Sequence, residues 1–103
     1  LIFIAQILKK LLRDGDKIFR YGGEEFIIIL NRISTQECII ITERILKQIS
    51  ANKLIYKGDT INVTASIGIT KYNENDTPET LINRADIALY EAKNSGKNKI
   101  VIK

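Results

Sequence analysis

Residues 17–30 read KIFRYGGEEFIIIL, two apolar runs separated by a pair of glycines and a pair of glutamates. Glycine adopts positive φ angles without a steric penalty, so Gly22 and Gly23 suit a tight turn between two strands. The stretch therefore predicts a β-hairpin. Glu24 and Glu25 lie at or just past its turn, where two adjacent carboxylates are accessible to a ligand.

Three flanking segments carry helix signals, an apolar period of three to four residues with a cap or a stop. Gly15 stops the first segment, and a capping box at 34–37 opens the second. Thr77, followed by Pro78, opens the third, and Gly96 stops it. The predicted helices cover residues 2–13, residues 34–51, and the segment from residue 77 to the stop signal at Gly96.

The hairpin strands and three further segments rich in β-branched residues predict the sheet. Gly58-Asp59 is expected to form the turn between the first two of these further strands. Without the short run at 54–56, the element order begins αββαβ, which is the ferredoxin-like βαββαβ order without its first strand. The predicted strands cover residues 17–21, 25–30, 54–56, 60–70 and 100–102.

This order predicts the fold class α+β, a ferredoxin-like palm in which helices pack on an antiparallel sheet. In that plan the first strand lies inside the sheet, so its neighbours would be unpaired without it. Either an upstream segment belongs to the natural protein, or something else fills this gap. We expect residues 1–103 to be a single partial domain, with its first strand and an upstream helix absent from this chain.

Composition narrows the possible chemistry. The 103 residues suit one domain and contain no histidine and one cysteine, Cys38, which is expected to be a small packing residue among isoleucines. This excludes imidazole bases, Ser-His-Asp and Cys-His nucleophiles, and Cys/His zinc sites. The formal net charge of +4 is compatible with an anionic ligand such as a nucleotide. No apolar run approaches the roughly 18 residues of a membrane span. A cytoplasmic location is expected, either free or as the cytoplasmic part of a membrane-attached sensor.

Three motifs resemble the GGDEF family of diguanylate cyclases: RYGGEEF at 20–26, ASIGIT at 65–70 and ADIALYEAKNSGKN at 85–98. The resemblance runs from Leu1 to Lys103. It implies a nucleotidyl-cyclase-like palm that condenses two GTP molecules into cyclic di-GMP with release of pyrophosphate. It also implies Mg²⁺ or Mn²⁺ as cofactor, a homodimer for catalysis, and cyclic di-GMP as both product and inhibitor.

The resemblance assigns roles to the hairpin. Glu24 is expected to be a metal ligand and a base for the 3′-hydroxyl, and Glu25 to assist it in catalysis and metal binding. Gly22 and Gly23 let backbone N–H groups approach the substrate, and carboxylate oxygens suit Mg²⁺. Arg20 is expected to add a phosphate or stacking contact. The alternative without a ligand is that both glutamates only solvate the turn.

Two further sets of residues match family positions. Lys93 and Lys97 lie four residues apart, on one face at the end of the third helix, and are expected to bind terminal phosphates. The family usually has Arg at the position of Lys97, so the charge is kept and the bidentate fork is lost. Arg13 and Asp16 match the RxxD inhibitory site, and Arg44 matches a further product-binding arginine. Without a ligand, the two lysines are favourable cations at a helix C-terminus, and Arg13 with Asp16 is an ordinary helix end.

The family's upstream metal-binding Asp and its guanine-recognising Asn and Asp match no position in this sequence. We therefore expect the isolated chain not to be a competent cyclase, and we expect a sensory or regulatory domain to be attached in the parent protein. A noncatalytic cyclic di-GMP receptor that retains Arg13, Asp16 and Arg44 is the main alternative. A nucleic-acid-binding domain is disfavoured, because the sequence has no basic stripe interleaved with aromatics, and no nucleic-acid partner is expected.

Overall fold

The computed structural model describes residues 2–22, 25–51 and 53–103, with the backbone alone described for residues 2, 3, 20–22, 53, 54 and 56. Within these ranges it contains three helices and six strands, which confirms the predicted α+β class. Two compact units, Leu1–Gln48 and Ile49–Lys103, divide the chain. None of the helices in the described ranges is long and apolar enough to cross a membrane.

The elements are α1 (Ile2–Leu11), β1 (Lys17–Gly22), β2 (Glu25–Ile29), α2 (Thr35–Ala51), β3 (Lys53–Tyr56), β4 (Asp59–Asn62), β5 (Ile67–Ile69), α3 (Pro78–Asn94) and β6 (Ile100–Ile102).

The first unit opens with α1, whose apolar side buries Leu8. The Leu12 N–H donates to the Leu8 carbonyl at 3.0 Å, which completes the last turn. Gly15 then adopts a φ of +91°, a conformation that glycine reaches at little cost. The predicted helix and its stop are confirmed, and the helix ends earlier than predicted, at Leu11.

β1 and β2 form the predicted antiparallel hairpin. Lys17 pairs with Ile29 at the open end, and Gly22 pairs with Glu25 at the turn. The register shifts just before Gly22, so Tyr21 is an extra residue in β1, a β-bulge. A bulge bends its strand and increases the local twist, and such bulges often lie next to active sites. The turn of this hairpin is therefore reached through a bent strand.

Ser34 caps the start of α2 as predicted, but the second bond of the predicted capping box comes from the Ser34 hydroxyl instead of its backbone N–H. The Glu37 N–H donates to Ser34 Oγ at 3.1 Å, and the Ser34 hydroxyl donates to Glu37 Oε1 at 3.0 Å. The helix then buries Ile45 and Ile49. Cys38 is half-buried, and burial raises the pKa of its thiol. A raised pKa leaves the thiol protonated at neutral pH, as expected for a packing residue.

The hairpin of the second unit is formed by β3 and β4, and its turn lies one residue earlier than predicted. β3 and β4 are antiparallel with Tyr56 opposite Asp59, so the two turn residues are Lys57 and Gly58. Their φ angles are +51° and +83°, the two positive values that a type I′ turn requires. The predicted Gly58-Asp59 turn was wrong because Lys57 takes a left-handed conformation that sequence patterns reserve for Gly, Asn or Asp.

The predicted strand over residues 60–70 was wrong in extent. It divides into β4, which pairs with β3, and β5, which pairs with β6, and residues 63–66 between them belong to no strand. The two halves also have different partners, which the residue pattern alone does not indicate. The predicted sheet was entirely antiparallel, but β5 and β6 are parallel, with Ile67 opposite Ile100, because the crossover helix α3 joins them.

The start of α3 follows its predicted cap. Thr77 Oγ1 accepts from the Thr80 N–H at 3.2 Å, and Thr80 Oγ1 accepts from the Thr77 N–H at 2.9 Å. Thr80 thus takes the place that Glu or Gln usually holds in a capping box. On the buried side of the helix, Ala88 and Ala92 have no exposed surface. These small side chains let a neighbouring strand approach the helix closely.

Gly68 of β5 lies directly against the α3 backbone. A Cβ at this position would lie 2.3 Å from the Leu89 nitrogen and 2.5 Å from the Ala85 carbonyl oxygen. Both are backbone atoms of a helix, so they cannot move aside as the end of a flexible side chain can. The glycine of the ASIGIT motif therefore sets how closely the strand and the helix pack.

We predict that Gly68→Ala lowers the free energy of unfolding by about 3 kcal/mol, because the new methyl group overpacks a contact between two backbones. Urea unfolding followed by circular dichroism measures this change.

Gly58→Ala is the matched control for Gly68→Ala. A Cβ at Gly58 meets nothing within 4 Å, but the φ of +83° is unfavourable for alanine. We expect a loss of about 1 kcal/mol. If Gly68→Ala lowers the free energy of unfolding no more than Gly58→Ala does, β5 does not pack as closely against α3 as described.

Candidate functional site

The turn of the first hairpin carries the predicted catalytic residues. Gly22 and Glu25 are register partners, so the two strands stay paired up to the residues between them. Glu25 is half-buried at the first position of β2. Gly23 and Glu24 lie outside the described residues, as does the side chain of Arg20. Their assigned roles therefore stay predictions.

The metal site predicted at this turn can be judged from its donors. Within residues 2–22, 25–51 and 53–103, no group of three or more His, Cys, Asp or Glu residues is placed to hold a metal ion. Mg²⁺, however, usually binds one or two carboxylates, keeps several waters and takes substrate phosphates as its other ligands. Glu24 and Glu25 supply two adjacent carboxylates, so the donors of the turn fit a magnesium nucleotide.

The predicted inhibitory residues Arg13 and Asp16 are brought together. The Arg13 backbone N–H donates to Asp16 Oδ2 at 2.9 Å, and Arg13 Nε and Nη2 donate to Oδ2 and Oδ1, each at 3.3 Å. Nη2 also donates to the Asn31 carbonyl oxygen at 2.6 Å. The Asn31 N–H donates to Asp16 Oδ1 at 3.3 Å, and Asn31 Nδ2 donates to the Gly15 carbonyl at 2.9 Å. This clamp of Arg13, Asp16 and Asn31 joins the segment after α1 to the segment after β2.

Asp16 is the buried member of the clamp. Its side chain is 1% exposed, whereas that of Arg13 is 40% exposed. Burial raises the pKa of the Asp16 carboxyl, but hydrogen bonds from Arg13 and from the Asn31 backbone outweigh burial and leave the pKa lowered. Asp16 is therefore ionised at neutral pH, and both of its oxygens already accept hydrogen bonds within the chain. The part of the clamp open to a ligand is the guanidinium of Arg13.

Asn31 belongs to the clamp, whereas the described contacts of the clamp do not include Arg44. Arg44 is exposed on α2, and the described contacts of Arg13 and Asp16 are with each other and with Asn31. Asn31 was missed in the sequence analysis because its partners lie 15 to 18 residues away. No local pattern connects residues at that separation, and the only available signal is that Asn31 follows the predicted strand.

Lys93 and Lys97 are both exposed but have different backbone settings. Lys93 belongs to the last turn of α3, which ends at Asn94. Gly96 then has a φ of +116°, and the Lys97 N–H donates to the Ala92 carbonyl at 3.2 Å, the pattern of a Schellman cap. The prediction that both lysines share one helical face was therefore wrong, because the helix ends before Lys97.

The other end of α3 is fixed by an ion pair that the sequence analysis missed. Arg84 Nη1 and Nη2 donate to Asp76 Oδ1 and Oδ2 at 2.9 and 2.6 Å. Arg84 also donates to the Thr70 hydroxyl at 2.5 Å and to the Lys71 carbonyl at 2.7 Å. Hydrogen bonds from Arg84 hold the pKa of Asp76 well below its usual range, and Asp76 raises the pKa of Arg84. The segment between β5 and α3 is thus tied to the helix.

Sequence comparison gives a family for this chain. It matches the model described as diguanylate cyclase, GGDEF domain, over residues 1–99. It is also 41% identical over 100 residues to diguanylate cyclase A of Treponema denticola, a match that covers 96% of this chain and 27% of that protein. The chain therefore spans only a minor part of this relative's length.

Solved structures agree with the sequence match. The diguanylate cyclase SiaD of Pseudomonas aeruginosa, solved in complex with its activator SiaC, is similar with a TM-score of 0.93 at 33% identity, over 99% of this chain and 39% of that chain. The GGDEF domain of DgcB from Caulobacter crescentus, solved in complex with c-di-GMP, is similar with a TM-score of 0.91 at 25% identity, over 97% of this chain and 60% of that chain. The fold class predicted from the element order is confirmed.

We predict that Asp16→Asn destabilises the protein in a pH-dependent way. The pKa of Asp16 is lower in the folded state, so its charge contributes stability above the unfolded value of about 3.9 and loses that contribution as the pH falls through the folded value. We expect the substitution to lower the free energy of unfolding at pH 7 by about 1 to 3 kcal/mol. The difference should shrink below about pH 4.

Urea unfolding across this pH range measures both effects, and Asp14→Asn serves as the control. Asp14 is an exposed acid in the same segment. A loss of stability that is equal for the two substitutions, or that does not change with pH, would contradict the clamp.

Proposed function

The chain belongs to the GGDEF family of diguanylate cyclases, and from this premise we propose that the protein condenses two GTP molecules into cyclic di-GMP and releases pyrophosphate. The observation that carries the proposal is the family match over residues 1–99, a range that includes the GGEEF motif at the turn of the β1–β2 hairpin. The complex of the DgcB domain with c-di-GMP supports the same ligand chemistry.

The proposed reaction forms two phosphodiester bonds. Each 3′-hydroxyl oxygen attacks the α-phosphorus of the other GTP, its proton is removed, and the bond from that phosphorus to the oxygen that bridges to the β-phosphate breaks. Glu24 accepts the hydroxyl proton, and Glu25 beside it completes the carboxylate pair. This pair would hold Mg²⁺ or Mn²⁺, and the ion would supply positive charge against the negative charge that develops on the phosphate oxygens. Gly22 and Gly23 lack a Cβ and leave room for the substrate beside the backbone N–H groups.

Basic side chains make the other contacts with the substrate phosphates. Lys93 and Lys97 bind the terminal phosphates, and Arg20 adds a contact from β1. A lysine ammonium is a compact point charge, whereas the arginine that the family usually has at position 97 binds phosphate through two parallel hydrogen bonds. Phosphate binding at Lys97 therefore depends on charge attraction and on where the backbone places the ammonium.

Feedback inhibition is proposed at Arg13, Asp16 and Arg44, with cyclic di-GMP as the ligand. The described side-chain contacts of Arg13 use Nε and Nη2, so we assign the contact with a phosphate oxygen or a guanine edge to Nη1. Asp16 contributes by holding Arg13, because its own oxygens accept hydrogen bonds within the clamp. Arg44 adds a second guanidinium from α2.

The assembly follows from the symmetry of the product. Each half of cyclic di-GMP derives from one GTP, so two subunits each hold one GTP and react as a homodimer. We also propose a cytoplasmic location and an attached sensory or regulatory domain in the full-length protein. We further propose that the 103 residues by themselves do not turn over GTP.

A noncatalytic receptor for cyclic di-GMP is the second candidate function. The clamp of Arg13, Asp16 and Asn31 favours it, because the clamp is complete without any contribution from the GGEEF turn. Titration of the full-length protein with GTP and with cyclic di-GMP, alongside a turnover assay with GTP and Mg²⁺, separates the two functions. Formation of cyclic di-GMP supports the cyclase, whereas binding of cyclic di-GMP without turnover supports the receptor.

We predict that Glu24→Gln in the full-length protein lowers kcat for cyclic di-GMP formation at least about 100-fold, because the amide neither accepts the hydroxyl proton nor binds Mg²⁺ well. Chromatographic quantification of the product measures the rate. Glu74→Gln, which replaces an exposed acid in the loop before α3, is the control and should keep the full rate. An active Glu24→Gln enzyme would contradict the assigned role.

We predict that Arg44→Ala raises the inhibition constant for cyclic di-GMP about tenfold, the effect of losing one charge-assisted contact. The uninhibited rate and the melting temperature should not change, because Arg44 is exposed. Initial rates at increasing cyclic di-GMP measure the inhibition. Lys10→Ala, at an exposed cation on α1, is the charge-matched control. Unchanged inhibition in Arg44→Ala would remove this residue from the site.

A further inference from the structure

Three consecutive residues after α3 have left-handed backbone. The φ angles of Gly96, Lys97 and Asn98 are +116°, +60° and +48°. Left-handed conformations cost ordinary L-residues roughly 1 to 2 kcal/mol each, and asparagine is among the few side chains that tolerate them. Such conformations persist only where the surrounding structure holds them in place.

Hydrogen bonds hold this left-handed segment from its N-terminal side. The Ser95 N–H donates to the Glu91 carbonyl at 3.0 Å, and the Ser95 hydroxyl donates to the same oxygen at 2.8 Å. The Lys97 N–H donates to the Ala92 carbonyl at 3.2 Å. The chain therefore enters the segment in a direction fixed by the last turn of α3.

The segment is equally held from its C-terminal side. The Lys99 carbonyl accepts from the Ile67 N–H at 2.9 Å, which begins the parallel pairing of β6 with β5. The Lys99 ammonium donates back to the Ser95 carbonyl, and its side chain passes 3.7 Å from the position of a Cβ on Gly96. Both ends of the segment are thus held by hydrogen bonds. The backbone of Lys97 and Asn98 must therefore bridge a fixed gap between the end of α3 and the start of β6.

We propose that Asn98 is a positioning residue for Lys97: its tolerance of left-handed backbone lets the chain turn sharply between α3 and β6 and so places the Lys97 ammonium for the terminal phosphates of GTP. This inference rests on the proposed phosphate contact of Lys97. It assigns Asn98 no contact with the substrate, because its contribution is made through the backbone. A residue that resists positive φ would turn the Lys97 side chain away from the phosphates.

Two substitutions separate backbone conformation from side-chain chemistry. Asn98→Gly removes the amide but keeps positive φ accessible, whereas Asn98→Val introduces a β-branched side chain that strongly disfavours it. Lys97→Ala removes the ammonium and keeps a Cβ, so the strain at position 97 stays similar. All variants are made in the full-length protein. Their dissociation constants for a non-hydrolysable GTP analogue and for guanosine 5′-monophosphate, both with Mg²⁺, are measured by calorimetry.

Asn98→Gly is expected to bind the GTP analogue within about twofold of the unsubstituted protein, and Asn98→Val about tenfold more weakly. Neither substitution should change binding of the monophosphate, which lacks the terminal phosphates and so reports on general damage. In the Lys97→Ala background, Asn98→Val should cause no further loss, because a residue that acts through another has no effect once that other is removed.

The outcomes distinguish the inference from the function on which it rests. If Lys97→Ala does not weaken binding of the GTP analogue, the phosphate contact of Lys97 is wrong and the inference fails with it. The contact stands and the positioning role alone is overturned if Asn98→Val binds normally. The same conclusion follows if Asn98→Gly loses as much affinity as Asn98→Val, or if Asn98→Val weakens binding equally without Lys97.

Discussion

The antiparallel pairing of β1 with β2 is the constraint on which the first unit depends. It closes at one end with Gly22 opposite Glu25, which brings the strands together on either side of the predicted catalytic turn. At the other end Lys17 pairs with Ile29, beside the residues that form the clamp with Arg13. With a rise of about 3.3 Å per residue, the two ends of β1 lie about 17 Å apart. One hairpin therefore links the proposed catalytic residues at its turn to Arg13 and Asp16 of the proposed inhibitory site at its open end. The bulge at Tyr21 makes this hairpin bent rather than regular, and a strand without it would present the residues beyond it on the opposite face.

In the second unit, α3 is fixed along its whole length. Arg84 ties the first half of the helix to the preceding loop through Asp76, and Gly68 lets β5 lie against the middle of the helix. The C-terminal end is closed by a Schellman cap and a left-handed turn. A helix held in this way presents Lys93 and the residues after it from a fixed platform. That suits phosphate binding by lysine, whose single charged group has little directional preference and depends on its placement.

The sequence predicted those features that depend on contacts between residues close together in the chain. The capping residues of α2 and α3 and the glycine stop after α1 were read from the sequence, because a cap involves residues only three or four positions apart. The strand at 60–70 was predicted as one element, because its β-branched residues suit pairing with either neighbour and pattern alone does not name the partner. Lys57 and Lys97 were misplaced for a common reason: each adopts a left-handed conformation, and Lys57 lies in a turn whereas Lys97 lies beyond a helix end. Long-range polar contacts such as those of Asn31 left no local trace.

We propose that the turn between Gly22 and Glu25 binds a magnesium-bound triphosphate through carboxylate oxygens. The most direct test is a crystal structure of the full-length protein with Mn²⁺ and a non-hydrolysable GTP analogue, because manganese is located by its anomalous scattering independently of the protein atoms. We expect a manganese peak within coordination distance, about 2.2 Å, of a Glu24 or Glu25 carboxylate, with a phosphate oxygen of the analogue as a further ligand. A metal and triphosphate bound elsewhere, with neither glutamate among the ligands, would contradict it.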